Sequence, residues 1–94
     1  MIALGCDHGG LELKESIKLH LVERGFEVND FGTYDHNSVD YPDIASRVCV
    51  PVSKGEFEFG ILVCGTGIGI SIAANKHKGI RAALCCDPYS SEKA

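Results

Sequence analysis

LVCGTGIGISIAANK, Leu62 to Lys76, joins an apolar run to a glycine-rich turn. An apolar run ends in Cys64, and glycines at 65, 67 and 69 then alternate with Thr66 and Ile68. A short apolar run closed by glycines reads as a buried parallel strand entering a tight turn. The segment behind it, from Gly67 to Lys76 and ending near Gly79, reads as a helix.

The same pattern recurs on either side. MIALGC is an apolar run ending in DHGG, so it reads as a first strand and turn. Leu13, Ile17, His20 and Leu21 recur at three- and four-residue steps, with Gly25 as a C-cap, and predict an amphipathic helix. A second strand is expected over Phe26 to Phe31, followed by the polar loop TYDHNSVDYPD, in which Pro42 is set to start a helix. Ile44, Val48 and Val52 continue that helix on one face, and Pro51 is expected to break or kink it near Cys49 or Val50. IRAALCC reads as a fourth strand, and DPYSSEKA as a loop with the first turn of a helix.

Strands alternating with helices imply a parallel sheet covered on both faces, a three-layer α/β sandwich with four strands in this chain. Ligands in such sheets sit beyond the carboxyl ends of the strands. The residues expected there are Cys6, Asp7 and His8, then Cys64 to Gly69, then Cys85 to Asp87.

Composition narrows the partners. Ninety-four residues, 45% of them hydrophobic, suffice for one small domain. A net charge of -4 with no basic run argues against nucleic acid. No stretch approaches the roughly 20 apolar residues of a membrane span, and no signal-peptide layout opens the chain, so it is read as cytoplasmic and without a membrane partner. Five cysteines, an odd number without a CxxC pair, argue against a disulfide scaffold and against a zinc site.

Each candidate residue has two readings. The glycines at 65, 67 and 69 bring backbone N–H groups toward an anion at a helix N-terminus, or merely make a tight turn. The spacing G-x-G-x-G meets neither the dinucleotide fingerprint nor the P-loop pattern. Cys64 is a thiol activated at a helix N-terminus, or a small buried filler. Asp7 and His8 form a pair that orients an imidazole or binds a sugar hydroxyl, or Asp7 only caps the next helix. His20 reads as a satisfied core histidine, and His36 and His77 as solvated. Tyr41 packs at a helix entry or walls the site. Clustering of Cys6, Cys64, Cys85 and Cys86 as a soft-metal site has unfamiliar spacings.

GCDHGG, DFGTY, DYPD, CGTGIGISIAANK and GIRAAL, in this order and across essentially the whole chain, resemble the B-type ribose-5-phosphate isomerases and the related galactose-6-phosphate isomerase subunits. The resemblance implies a Rossmann-like parallel sheet, no cofactor or metal, and a homodimer or tetramer in the full-length form. It implies aldose–ketose interconversion of ribose 5-phosphate and ribulose 5-phosphate through a cis-enediolate, a step of the pentose phosphate pathway. Cys64 would abstract the C2 proton, because Ile70 stands where some members carry a glutamate base. The amides of the Gly65 to Gly69 loop, with Gly67 and Ile68 between, would hold the enediolate oxygen, Thr66 would assist ring opening, and Asp7, His8 and Tyr41 would contact substrate. The family continues past DPYS through an HNxAN segment, phosphate-gripping basic residues and a fifth strand, none of which is in these 94 residues. Pro51 and Cys86 also depart from its pattern. The chain is therefore expected to be a single phosphosugar-isomerase domain truncated at its C-terminus. A galactose or allose 6-phosphate isomerase, a silent phosphosugar-binding remnant, and a cysteine-based redox or metal protein are the alternatives.

Overall fold

The computed structural model describes residues 1–34, 37 and 39–94. Three parallel strands form the sheet, in the order β2-β1-β3: β1 Ile2–Cys6, β2 Val28–Asp30 and β3 Phe59–Val63. Ile2 is in register with Val28 on one side and with Phe59 on the other. As the central strand, β1 is buried along its whole length, which is why it reads as an uninterrupted apolar run.

The helices are α1 Leu11–Glu23, α2 Tyr41–Ser53, α3 Ile68–Asn75 and α4 Pro88–Lys93, and a 3-10 turn His8–Gly10 precedes α1. A Cβ on Gly5 would stand 2.8 Å from Val48 Cγ2 and 3.3 Å from Ile44 Cγ2, so α2 seats directly on the backbone of β1. Ile44, Ala45 and Ile70 form a buried cluster with Leu62, Cys64, Val39 and Ala73 around it, placing α2 and α3 together on that face of the sheet. α1 covers the opposite face. The α/β, parallel, Rossmann-like architecture expected from the sequence is the one observed.

Four expectations change. The segment 80–86 forms no strand. Ala82 instead spends both main-chain groups on one side chain: its N–H donates to Asn75 Oδ1 and its carbonyl accepts from Asn75 Nδ2, each at 2.9 Å. The carboxamide thus takes the main-chain groups of Ala82, and the sheet has three strands among the described residues. α2 also runs through Pro51 to Ser53 without a break. The hydrogen bond that proline forfeits would have gone to the carbonyl of Arg47, an exposed residue where water can substitute. The second strand is shorter than expected, Val28–Asp30, because Gly25 and Phe26 are tied to the end of α1 through Val22 and Leu21 carbonyls. Finally, His20 is exposed rather than in the core, and His36 lies outside the described residues.

The residue that α1 does bury is Lys14, with no exposed surface at all. Its Nζ donates to Asp30 Oδ2 at 2.8 Å and to the Thr33 carbonyl at 2.7 Å, and pairs with Glu15 Oε1 at 3.0 Å. It also lies 5.0 Å from the centre of the Tyr34 ring. Burial by itself would push this amine down, but the bonds to Asp30 and Glu15 outweigh it and hold the group above its ordinary value. Burial likewise opposes ionisation of Asp30, yet Lys14, the Gly32 amide and Lys18 hold its carboxyl below the ordinary range.

Lys14→Met should leave Asp30 buried without its main partner and cost about 3–5 kcal/mol in urea denaturation. The contribution of Asp30 is present above its ordinary value of 3.8 and is lost as pH falls through the lower folded value. That of Lys14 is present below 10.5 and is lost as pH rises through the higher folded value. The difference between wild type and variant should accordingly be flat from about pH 5 to 10 and shrink outside that window.

Candidate active site

Two loops leave the carboxyl edge of the sheet side by side. The first follows β1: the Asp7 amide donates to the Val63 carbonyl at 3.1 Å, and Asp7 Oδ1 accepts from the Gly9 amide at 2.9 Å. Asp7 therefore does cap the 3-10 turn, with Oδ2 left over. His8 comes next, exposed, with Nδ1 accepting from the Val39 amide at 3.3 Å.

The second loop follows β3. Gly67, the N-cap of α3, has φ of 80°, a left-handed conformation in which other residues are strained. That turn folds the loop back so that the Gly67 amide donates to Cys64 Sγ at 2.9 Å and the Ile68 amide to Thr66 Oγ1 at 3.2 Å. The amides of Gly65, Thr66, Gly69 and Ile70 have no acceptor among the described residues. Two of these donors lie in the first turn of α3 and two in the loop before its N-cap, where the helix dipole is positive.

The loops touch through glycine. A Cβ on Gly9 would be 3.3 Å from Gly65 N, so a side chain there would press the two loops apart. Tyr41, the first residue of α2, lays its ring over Gly69: the position of a Cβ there is 2.8 Å from Tyr41 Cζ and 3.1 Å from its hydroxyl oxygen. The structure thus gathers Asp7, His8, Tyr41, Cys64, Thr66, Gly65, Gly67, Ile68 and Gly69 at one sheet edge. Cys64 is half-buried, packed against the Ile44 cluster on one side and bordering a groove of about 820 Å³ on the other. Ile70, by contrast, is core, at 2% exposure.

Cys85 and Cys86 border the same groove, whereas Cys6 is buried with its thiol donating to the Thr33 carbonyl at 3.6 Å. All five cysteines are free. Among the described residues, no group of three or more His, Cys, Asp or Glu side chains is arranged to hold a metal ion. No helix of the described residues is long and apolar enough to cross a membrane. His77, expected to be solvated, is half-buried with Nε2 3.4 Å from Ser46 Oγ.

Three contributors escaped the sequence reading. Val39 acts through its backbone amide, which no residue pattern signals. Leu84 lies directly over Gly67 from a segment expected to be in the sheet. Gly9 could have been suspected, since it follows a candidate ligand-binding pair inside a double glycine.

The domain is a parallel α/β sheet whose loops at the carboxyl edge, where such folds place ligands, carry the candidate residues. The Ribose/Galactose Isomerase family model matches residues 2–94, and the chain belongs to that family. It is 58% identical over 91 residues to ribose-5-phosphate isomerase B of Escherichia coli K12, covering 97% of this chain and 61% of that one. It is 45% identical over 87 residues to the galactose-6-phosphate isomerase subunit LacB of Clostridium acetobutylicum, covering 93% and 50% respectively. The solved structure of Clostridium thermocellum ribose-5-phosphate isomerase B superimposes with a TM-score of 0.93 at 54% identity, covering 96% of this chain and 61% of that one. The chain therefore spans about three fifths of the length of the ribose-5-phosphate isomerases it matches.

Gly67→Ala must adopt the left-handed conformation beneath Leu84. It should lose about 1–2 kcal/mol or more by chemical denaturation, whereas Gly55→Ala, also at positive φ but in open space, should lose only the conformational part.

Proposed function

We propose that this domain carries aldose–ketose isomerase chemistry on a phosphorylated sugar, with ribose 5-phosphate and ribulose 5-phosphate as the pair. The observation that carries the proposal is Cys64 Sγ set beside four uncommitted amides, with Asp7, His8 and Tyr41 around the same edge. The reaction takes a proton from C2 of the aldose and returns one to C1, while the hydroxyl proton passes from O2 to O1. It needs a base at C2 and donors for the oxygen that becomes anionic.

Cys64 Sγ is the base in this reading. Ile70, buried in the core, offers no alternative. The amides of Gly65, Thr66, Gly69 and Ile70 hold the enediolate oxygen, because those of Gly67 and Ile68 already serve Cys64 and Thr66. Thr66 keeps a hydroxyl proton to donate during ring opening, Asp7 Oδ2 accepts from a sugar hydroxyl, and Tyr41 walls the site. A homodimer or tetramer and a cytoplasmic location belong to the same reading; five free thiols fit a reducing compartment. The similarity to a galactose-6-phosphate isomerase subunit supports a second substrate, a hexose 6-phosphate.

Ketose formation from ribose 5-phosphate should be measured for the protein and for Cys64→Ala, with galactose 6-phosphate and unphosphorylated ribose in parallel. Turnover of the pentose phosphate that falls by at least about 100-fold in the variant is the expected result. Preference for the hexose phosphate would replace the substrate. Binding without turnover, unchanged by Cys64→Ala, would replace the isomerase with a phosphosugar-binding module.

A further inference from the structure

Among the described residues, His8 is the exposed imidazole at the sheet edge with a backbone donor aimed at it: the Val39 amide, 3.3 Å from Nδ1. Val39 is not a free strand of loop. Its side chain packs on the Ile44, Ala45 and Ile70 cluster, against which Cys64 also packs, and two residues later Tyr41 begins α2 against Gly69. The amide is therefore held in place by the same core that holds the sulfur.

A ring nitrogen that accepts an N–H bond must keep its lone pair, so the neutral imidazole carries its proton on the other nitrogen. A proton added at Nδ1 would meet the Val39 N–H head to head. We infer that the Val39 backbone amide is a positioning group that holds His8 as the neutral Nε2–H tautomer, so that His8 serves as a fixed hydrogen-bond donor to an oxygen of a bound sugar phosphate and not as a proton acceptor. The donor half of this inference rests on the phosphosugar reading above; the tautomer does not. The assignment divides the labour of the two loops: the loop after β3 supplies the base, and the loop after β1 supplies a neutral donor whose direction is set by main chain.

The test uses the 15N-labelled protein without ligand. Long-range 1H–15N spectra should show His8 with a proton-free Nδ1 and a protonated Nε2, and a 15N–15N coupling across the hydrogen bond should link Nδ1 to the Val39 amide. Val39→Ala keeps the amide and should keep both signals. Val39→Pro removes the donor and should abolish the coupling and let the tautomers average. A protonated Nδ1, or averaged ring nitrogens, in the unaltered protein overturns the inference, and that measurement stands even if Val39→Pro does not fold.

Ribose 5-phosphate titrations then test the donor. His8→Gln returns an amide nitrogen near the position of Nε2 and should bind within about threefold of wild type, whereas His8→Asn, reaching only to Nδ1, should bind at least about tenfold more weakly. Equal loss in both overturns the donor role. Absence of ribose 5-phosphate binding by the unaltered protein overturns the sugar-phosphate reading and the donor role together, and is distinguished from a wrong tautomer by the ligand-free spectra.

Discussion

The buried ammonium of Lys14 is the interaction on which the rest of the molecule depends. Its bond to the Thr33 carbonyl meets the Cys6 thiol at the same oxygen, and the chain there is stitched to β1 by Cys6 N to the Gly32 carbonyl at 2.6 Å and Thr33 N to the Cys6 carbonyl at 2.8 Å. β1 thereby leaves the sheet at a fixed point, with Asp7 and His8 as the next two residues. An unpaired charge in this position would be prohibitive, and a well-packed apolar residue could match the pair in stability. What the ion pair adds is direction: Asp30 and the Thr33 carbonyl accept only where Nζ can reach both, so α1, β2 and the segment that follows β2 are locked in one arrangement.

The candidate site follows from that lock and from the packing of α2 and α3 on the other face. Cys64 and Val39 both rest on the Ile44, Ala45 and Ile70 cluster, so the base loop and the donor for His8 share one floor. Within the loop, amides divide into two sets. Gly67 and Ile68 are consumed in shaping it, and Gly65, Thr66, Gly69 and Ile70 have no acceptor among the described residues. A left-handed residue at Gly67 is what makes the division possible, since it turns one amide back onto the sulfur while α3 begins beyond it.

The groove beside β3 is shaped by the segment that follows α3. Asn75 holds Ala82, and Leu84 covers Gly67, so this segment bears on the loop rather than extending the sheet. Leu13 and Ile17 of α1 line the same groove and stay partly open to solvent, which is why the apolar period of α1 does not coincide with what the helix buries.

Much of this was legible beforehand. β1 reads as a continuous apolar run because the central parallel strand is buried on both faces, β3 keeps the apolar run although Phe59 and Gly60 at its start are exposed, and the glycine run announced the turn into α3 because glycine takes Gly67's left-handed backbone without strain. The convergence of Asp7, His8, Tyr41 and Cys64 follows from that topology. Other features could not be read, for a physical reason common to all of them. A hydrophobic period takes Lys14 for a solvated residue, because its neutraliser Asp30 lies 16 residues away. IRAALCC has strand composition, but a side-chain amide takes the bonds a neighbouring strand would need. The amide of Val39 is identical in every non-proline residue, so only its location beside His8 gives it a role. The sequence by itself determined which segments are apolar, where the chain must turn and which chemical groups the turns carry. Tertiary structure alone decided which distant polar groups meet, because hydrogen bonds and ion pairs depend on separations of about 3 Å that no local pattern encodes.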